Sequence, residues 1–274
     1  MGPYVFPQFD TVAFALGPFE IRWYALAYIL GLVFGWRYCI SLTRRPPFIV
    51  KHVDIDDLFV WVTLGVVIGG RLGFVLLWQP SYYADNLIEV FQPWKGGMSF
   101  HGGLLGVIFA IYMYGWLRKK DFWPLADLLA AATPVGLCLG RVGNFVNGEL
   151  WGRTTDVPWG VIFPRAGPEV RHPSQLYEAG LEGIVLFTIL SWLIFRRDAL
   201  MRPGLIGGTF LAGYGFLRSV GEIFREQTHF VDKLPLGITW GQVLSSAMIM
   251  LGMLVVARAL RKPPIRLNKG SIEG

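Results

Sequence analysis

Residues Ile55–Leu77 read IDDLFVWVTLGVVIGGRLGFVLL, and the last twenty of these positions hold a single charge, Arg71. About 20 apolar residues in a helix cross the hydrocarbon core of a bilayer. The whole chain is similarly apolar, with a hydrophobic fraction of 53%, a charged fraction of 16% and a mean hydropathy of +0.47. These values indicate an integral membrane protein and exclude a soluble globular domain.

Six further apolar stretches are long enough to cross a bilayer. We therefore predict an all-α integral membrane protein, a single polytopic domain over residues 1–274 with seven transmembrane helices. A small outward-facing head region, residues 141–175, is expected between spans four and five. The predicted spans are 21–40, 55–77, 100–117, 122–139, 176–195, 205–223 and 240–260.

Basic residues cluster after every second span. Of the 25 Lys and Arg residues, 14 follow the first, third, fifth and seventh predicted spans. Because cytoplasmic flanks are enriched in Lys and Arg, we expect the N-terminus outside and the C-terminus in the cytoplasm. Residues 141–175, residues 226–239 and the loop before His101 then face the outer side, and so does the active site. The extreme N-terminus has no basic residue, so a cleaved signal peptide is not expected.

The run Gly140–Arg153, GRVGNFVNGELWGR, is the strongest indication of a functional site. It follows an apolar stretch, yet it contains two arginines, two asparagines, a glutamate and four glycines. Fixed cations and amide groups suit an anionic ligand, and the phosphate of a lipid is the nearest candidate. We therefore expect the active site here.

The sixth predicted span carries a polar stripe. Tyr214, Arg218, Glu222 and Arg225 recur at spacings that place them on one helical face. An unpaired charge at the centre of a span costs roughly 2.5–3.5 kcal/mol, so these side chains require partners or water. Two interpretations stay open: an Arg218–Glu222 ion pair that holds the helices together, or a cavity lining in which Glu222 orients an arginine toward phosphate.

Histidines supply candidates for proton transfer. His101 lies in KGGMSFHGG, residues 95–103, followed by Gly102 and Gly103. Glycines let the backbone approach a ligand, and an imidazole accepts a proton near neutral pH. His101 is thus either a general base or a structural histidine.

A second histidine, His172, opens the motif HPSQLYE, residues 172–178. Ser174 and Gln175 in this motif either cap a helix or contact the ligand. The histidines and the two cysteines show no metal-ligand spacing, and neither a phosphate-binding loop nor Gly-x-Ser-x-Gly occurs. These absences disfavour a metal hydrolase and a nucleotide-driven pump.

Together these motifs resemble those of the bacterial phosphatidylglycerol–prolipoprotein diacylglyceryl transferases. The resemblance covers the whole chain in order, with one departure: Glu226-Gln227 stands where the family has Pro-Asp. It rests on residues 140–153, FHGG at 100–103, HPSQLYE at 172–178, Tyr214-Gly-x-x-Arg218 with Glu222 and Arg225, and Ile21-Arg-Trp-Tyr24.

The resemblance implies a reaction in the bacterial inner membrane. A diacylglyceryl group moves from phosphatidylglycerol to the thiol of the lipobox cysteine in a prolipoprotein signal peptide, a thioether forms, and glycerol phosphate leaves. This is the first step of lipoprotein maturation. It implies membrane lipids as surroundings and requires no cofactor, metal or nucleic acid.

The resemblance and the residue chemistry together assign roles. Arg141 and Arg218 bind phosphate, Glu222 positions Arg218, and His101 is the general base. The residues that bind the lipid donor are Tyr24, Arg141, Asn144, Asn147, Glu149, Arg153, Tyr214, Arg218 and Arg225. The supporting residues are Gly102, Gly103, His172, Ser174, Gln175 and Tyr177.

A transporter or lipid-binding scaffold is the competing class, because arginines that face a cavity hold an anionic headgroup without chemistry. The residues alone leave both classes open. The dense polar run of residues 140–153 and the lack of a visible internal repeat favour the enzyme.

Overall fold

The computed structural model describes residues 4–7, 12–16, 19–92, 94, 96–226 and 240–266. The predicted outer segment after residue 226, with Gln227, lies outside these ranges. Contacts divide the chain into two compact units, residues 40–126 and residues 1–39 with 127–274.

Helices form most of the regular structure. Within the described residues the α-helices are α1 (Trp23–Thr43), α2 (His52–Leu77), α3 (Pro80–Asp85), α4 (Leu87–Val90), α5 (Phe100–Arg118), α6 (Phe122–Val146), α7 (Ser174–Glu178), α8 (Leu186–Arg197), α9 (Leu205–Gly221) and α10 (Trp240–Arg261). A π-helix, Ala179–Val185, joins α7 to α8, and a 3-10 turn, Ala199–Met201, follows α8.

Six of these helical segments are long and apolar enough to cross a membrane, so the prediction of a multi-pass membrane protein is confirmed in outline. They are Trp23–Thr43, His52–Leu77, Phe100–Arg118, Phe122–Val146, Ser174–Arg197 and Gly241–Arg261. The remaining predicted span, residues 205–223, corresponds to α9, which has 17 residues.

In the unit of residues 40–126, glycines bring α2 and α5 into backbone contact. A Cβ atom on Gly73 would lie 2.6 Å from the Cα of Gly102, and one on Gly65 would lie 2.5 Å from the Gly106 carbonyl oxygen. Small residues allow such close packing of helices in a bilayer. Gly102 and Gly103, which were predicted as supporting residues, are both buried, and Gly102 packs against α2.

Arg71, the single charge in the apolar part of α2, is buried and bonded to backbone. Its guanidinium donates to the carbonyl oxygens of Val90 at 2.9 Å, Gly96 at 2.6 Å and Gly97 at 3.2 Å, and also to that of Glu89. These bonds replace the water that the cation loses on burial. Arg71 therefore anchors the end of α4 and the segment that follows it.

In the unit of residues 1–39 and 127–274, the predicted head region contains short strands. β1 (Tyr4–Val5) pairs in parallel with β4 (Val161–Ile162), which pairs antiparallel with β5 (Val170–Arg171). A separate hairpin, β2 (Val12–Leu16) with β3 (Phe19–Arg22), precedes α1. The all-α prediction omitted these strands because strands of two to five residues show little periodicity.

Aromatic residues form a small core beneath the three-stranded sheet. Phe6, Val161 and Phe163 are buried, and Phe145 and Trp151 pack against them. Phe145 lies at the end of α6 and Trp151 in the polar run. This core therefore fixes the polar run against the sheet.

The same unit contains a buried carboxylate that caps a neighbouring helix. Asp127 on α6 accepts hydrogen bonds from the backbone N–H groups of Gly204 and Gly207, both at 2.7 Å. The first N–H groups of a helix lack partners within it, and a carboxylate satisfies them. Asp127 thus ties the start of α9 to α6.

Candidate functional site

Three arginines and three glutamates form a cluster around Glu178. The arginine–glutamate cluster comprises Arg141, Glu178, Glu182, Arg218, Glu222 and Arg225. Glu178 Oε1 accepts hydrogen bonds from Arg218 Nη1 at 2.5 Å and Arg225 Nη1 at 3.4 Å. Its other oxygen, Oε2, lies 3.0 Å from Arg141 Nε in an ion pair. One carboxylate thus contacts all three arginines.

Three chain segments contribute to the cluster. Arg141 lies in the last turns of α6, and Arg218 lies near the end of α9. Glu178 ends α7, and Glu182 lies one turn later in the π-helix. Such π-helical segments are rare and occur often at functional sites. Because its members lie on these separate segments, the cluster joins the end of α6, α7 and the end of α9.

The cluster is internally neutral but open on its cationic side. Glu178 and Glu182 are 1% and 0% exposed, whereas the Arg141 and Arg218 side chains are each 16% exposed. The three arginines carry as many positive charges as the three glutamates carry negative ones. A ligand from outside therefore meets guanidinium groups whose positions buried carboxylates already fix.

The polar stripe of the sixth predicted span contains the ion pair considered from the sequence. Arg218 Nη2 donates to Glu222 Oε2 at 2.8 Å, so the Arg218–Glu222 ion pair exists. Arg218 also contacts Glu178 and keeps exposed surface, so the pair leaves it accessible. Tyr214, one turn earlier, is buried. The structure thus brings Arg141, Arg218, Glu222 and Arg225 together.

A second network lies in the polar run next to α6. Glu149 Oε1 accepts hydrogen bonds from Asn144 Nδ2 at 2.9 Å and Asn147 Nδ2 at 3.3 Å. The Tyr24 hydroxyl bonds to the Tyr28 hydroxyl at 2.8 Å and also interacts with the Asn144 side chain. The buried Asn147 Oδ1 has no hydrogen-bond partner among the described residues. This network offers hydroxyl, amide and carboxylate groups to a polyol.

Residues of the HPSQLYE motif hold the polar run in place. Gln175 Nε2 donates to the Glu149 carbonyl oxygen at 2.6 Å, and Ser174 Oγ donates to the Leu150 carbonyl oxygen at 3.2 Å. Neither side chain caps α7, whose N-cap is Pro173 without a side-chain bond. The capping interpretation was therefore wrong, because both groups bond to the turn at Glu149 and Leu150.

His172 belongs to an aromatic group in the head region. Its Nδ1 lies 3.2 Å from the Tyr177 hydroxyl, which also accepts a bond from Trp159 Nε1 at 2.6 Å. The rings of His172 and Tyr177 pack against Phe224 at 5.3 and 5.2 Å. Desolvation lowers the pKa of His172 below its ordinary value, which favours the neutral ring. His172 supports the fold of the site through these aromatic contacts.

Backbone bonds join the polar run to His172 and to the segment after α9. The Gly152 N–H donates to the His172 carbonyl oxygen at 3.0 Å, and the Arg153 N–H donates to that of Phe224 at 2.9 Å. The Arg153 Nε donates to the Arg225 carbonyl oxygen at 2.9 Å. Arg153, predicted to bind lipid, thus bonds to the backbone beside the arginine–glutamate cluster.

His101 lies in the other unit, in the first turn of α5. The preceding residue Ser99 caps this helix, accepting a bond from the Gly102 N–H at 3.3 Å. The imidazole is exposed. Phe100 packs edge-on against it at 5.7 Å. No hydrogen bond or ion pair of the His101 side chain occurs among the described residues.

Sequence reasoning missed two members of the cluster. Glu178 lies inside the HPSQLYE motif and Glu182 one turn further, but neither was assigned a role. Both carboxylates fall within a predicted span, and a buried carboxylate in a span needs cationic partners. The presence of Arg141 and Arg218 in other apolar stretches was the signal that could have identified Glu178 and Glu182 as their partners.

The cluster is chemically suited to a phosphate. Guanidinium groups bind phosphate oxygens through paired hydrogen bonds, and partial burial strengthens these bonds. Among the described residues no three His, Cys, Asp or Glu side chains are arranged to hold a metal ion. The described groups thus supply cationic contacts for a phosphate and polar contacts for a polyol.

Comparison with known proteins gives the family. The model of the prolipoprotein diacylglyceryl transferase family matches residues 11–258. The phosphatidylglycerol–prolipoprotein diacylglyceryl transferase of Rhodospirillum centenum is 51% identical over 257 residues, 93% of each chain. Those of Gluconacetobacter diazotrophicus and Rhodopseudomonas palustris are 48% and 50% identical, over 94% of this chain and 93% and 92% of theirs. With such identity over nearly the whole length, the chain belongs to the prolipoprotein diacylglyceryl transferase family.

Proposed function

We propose that the protein transfers the diacylglyceryl group of phosphatidylglycerol to the lipobox cysteine thiol of a prolipoprotein. A carbon–sulfur bond forms, the bond between the glyceryl carbon and the phosphate oxygen breaks, and glycerol phosphate leaves. The family assignment supports this reaction. The structural observation that carries it is the set of partly exposed arginines fixed by buried glutamates.

The arginines act on the leaving phosphate. The phosphodiester of phosphatidylglycerol carries one negative charge, and a second develops as the carbon–oxygen bond breaks. Arg141 and Arg218 strengthen their bonds as this charge grows, which lowers the barrier. Glu178 and Glu222 hold the guanidinium groups in position before the lipid arrives, so little reorganisation is needed.

The network beside α6 binds the glycerol headgroup. Asn147 Oδ1 lacks a partner among the described residues and is available to accept a bond from a glycerol hydroxyl. Glu149 Oε1 fixes the orientation of the Asn144 and Asn147 amides. Tyr24 supplies a hydroxyl next to Asn144. These groups can donate hydrogen bonds to the hydroxyls of a glycerol headgroup and accept hydrogen bonds from them.

His101 is the proposed base that takes the proton from the cysteine thiol. An unperturbed cysteine has a pKa of about 8.5, so only a few per cent is thiolate at pH 7. The exposed imidazole of His101 has no competing partner among the described residues. If the positive field of the arginines alone activates the thiol, His101→Gln retains most of the activity.

The proposed topology has seven spans in the bacterial inner membrane. The 17 residues of α9 rise about 26 Å, close to the roughly 30 Å of a hydrocarbon core that tolerates local thinning. With the N-terminus outside and the C-terminus in the cytoplasm, the head region faces the outer side. The signal peptide of the acceptor lies in the same membrane, and the lipid donor makes a further cofactor unnecessary.

The test is diacylglyceryl transfer by the purified protein. Phosphatidylglycerol labelled in its acyl chains is incubated with a lipobox peptide, and both the thioether peptide and glycerol phosphate are quantified. We expect equal amounts of the two products from the wild type and a loss of both in Arg141→Ala that still folds. Lipid binding without either product would overturn the transferase and favour a lipid-binding scaffold or transporter.

A further inference from the structure

We propose that binding of the phospholipid headgroup is coupled to the uptake of one proton, and that Glu182 accepts it. This inference rests on the proposed function, because it takes the arginine–glutamate cluster as the phosphate site. It adds a role for a glutamate in the π-helix, one turn beyond the carboxylate that contacts the arginines directly.

Glu182 is fully buried, at 0% exposure, and is the least bonded carboxylate of the cluster. Its Oε2 lies 3.6 Å from Arg141 Nη2, and its Oε1 lies 3.6 Å from Arg218 Nη1. Neither oxygen has a hydrogen-bond partner among the described residues. Glu182 therefore stabilises the arginines by its charge alone.

Charge balance creates the requirement for a proton. Without ligand, three arginines face three glutamates and the cluster has no net charge. A phosphodiester brings one further negative charge into the same partly buried space. An uncompensated charge in a medium of low dielectric constant is costly, and neutralising a carboxylate removes that cost.

Glu182 loses least when it is protonated. Glu178 accepts hydrogen bonds from Arg218 and Arg225 and also pairs with Arg141. Glu222 accepts a bond of 2.8 Å from Arg218. A proton on either glutamate would disrupt those bonds, whereas Glu182 has none to lose. When the phosphate supplies the negative charge beside the arginines, Glu182 takes up a proton and becomes neutral.

Charged and titratable groups from several elements surround Glu182, among them the carboxylate of Glu178 and the aromatic hydroxyl of Tyr214. The charged and titratable groups that act on it are Arg141 from α6, Glu178 from α7, Tyr214 and Arg218 from α9, and Arg225 from the segment after α9. Cys138 of α6 packs against the adjacent Gly183.

Calorimetry on the full-length protein in detergent tests the coupling directly. Short-chain dihexanoyl phosphatidylglycerol is titrated near pH 8 in two buffers that differ in ionisation enthalpy. Since the phosphodiester does not titrate near this pH, any buffer dependence reports proton exchange by the protein. We expect uptake of about one proton per lipid. The affinity should fall about tenfold per pH unit over the pH range in which Glu182 is ionised without lipid and protonated with it.

The variant Glu182→Gln identifies the acceptor. It keeps the size of the side chain and removes the charge, so we expect binding without proton uptake and with little dependence on pH. The control is Glu169→Gln, whose carboxylate is half exposed and outside the cluster, and which should retain wild-type uptake. Equal wild-type enthalpies in both buffers, or unchanged uptake in Glu182→Gln, would overturn the inference. If the wild type binds no lipid at any pH, the proposed phosphate site itself fails.

Discussion

Arg218 donates a hydrogen bond of 2.5 Å to Glu178, a carboxylate that is 1% exposed. This contact joins the end of α9 to α7, and through Glu178 it extends to Arg141 on α6. Because the partner of each arginine is buried, the guanidinium groups keep their positions without a ligand. Such preorganisation is the condition for strong electrostatic stabilisation of a transition state.

Removal of the Glu178 charge should therefore affect both stability and catalysis. We expect Glu178→Gln to lower kcat/KM for diacylglyceryl transfer about 100-fold, since displaced catalytic groups cost that much. Unpaired buried arginines should also lower the free energy of unfolding by about 3 kcal/mol. Transfer kinetics and thermal unfolding in detergent measure the two effects. Unchanged kinetics in this variant would remove Glu178 from the site.

Gly152 in the polar run should not tolerate a side chain. A Cβ atom there would lie 2.5 Å from the Phe224 carbonyl oxygen and 2.6 Å from that of His172. Both are backbone atoms and cannot rotate away, so Gly152→Ala must separate the polar run from the segment that carries Arg225. We expect at least about a 100-fold loss of transfer. Gly136→Ala, where the added atom meets nothing within 4 Å, is the matched control and should retain activity.

The Asp127 cap at the start of α9 should stabilise the folded protein. Asp127→Ala leaves the Gly204 and Gly207 N–H groups without an acceptor, and we expect a loss of about 1–3 kcal/mol in the free energy of unfolding. Asp127→Asn keeps one acceptor oxygen and should lose less. Thermal unfolding of both variants measures the difference. Equal stability of Asp127→Ala and wild type would show that the cap is dispensable.

Gly241 at the start of α10 limits the position of Glu222. A Cβ atom on Gly241 would lie 3.1 Å from Glu222 Oε1, so an alanine there must displace the carboxylate that bonds Arg218. We expect Gly241→Ala to lower kcat/KM about threefold to tenfold while the protein stays folded. The assay is transfer at several lipid concentrations. A fall in activity that merely follows the loss of folded protein would contradict this reading.

Much of the fold could be predicted from hydropathy. Six of the seven predicted spans correspond to helices long and apolar enough to cross a membrane, and even the short α9 lies at its predicted place. The pairing of Tyr4–Val5 with Val161–Ile162 could not be predicted, because two-residue strands separated by over 150 residues show no periodicity. Phe6, which follows the first strand, and Val161, in the second, both pack in the aromatic core around Phe163.

The members of the arginine–glutamate cluster could be predicted only in part from the sequence. Arg141, Arg218 and Glu222 were found because charges in apolar stretches are conspicuous, and the family resemblance assigned roles to them. Glu178 and Glu182 were passed over because a sequence shows that a charge is present without showing which charge it faces. Ser174 and Gln175 were predicted either to cap a helix or to contact the ligand, and the structure shows that both side chains bond to the backbone of the polar run.

The most direct test of the account compares kcat/KM for diacylglyceryl transfer in wild type, Arg141→Lys and Arg218→Lys. Lysine keeps the charge but loses the paired hydrogen bonds that a guanidinium makes with phosphate. The control is Arg197→Lys at the end of α8, where the guanidinium packs over Trp192 away from the cluster. We predict a loss of about 100-fold in each cluster variant and none in the control. Transfer within about threefold of wild type in both cluster variants would contradict the phosphate-binding role of the arginines.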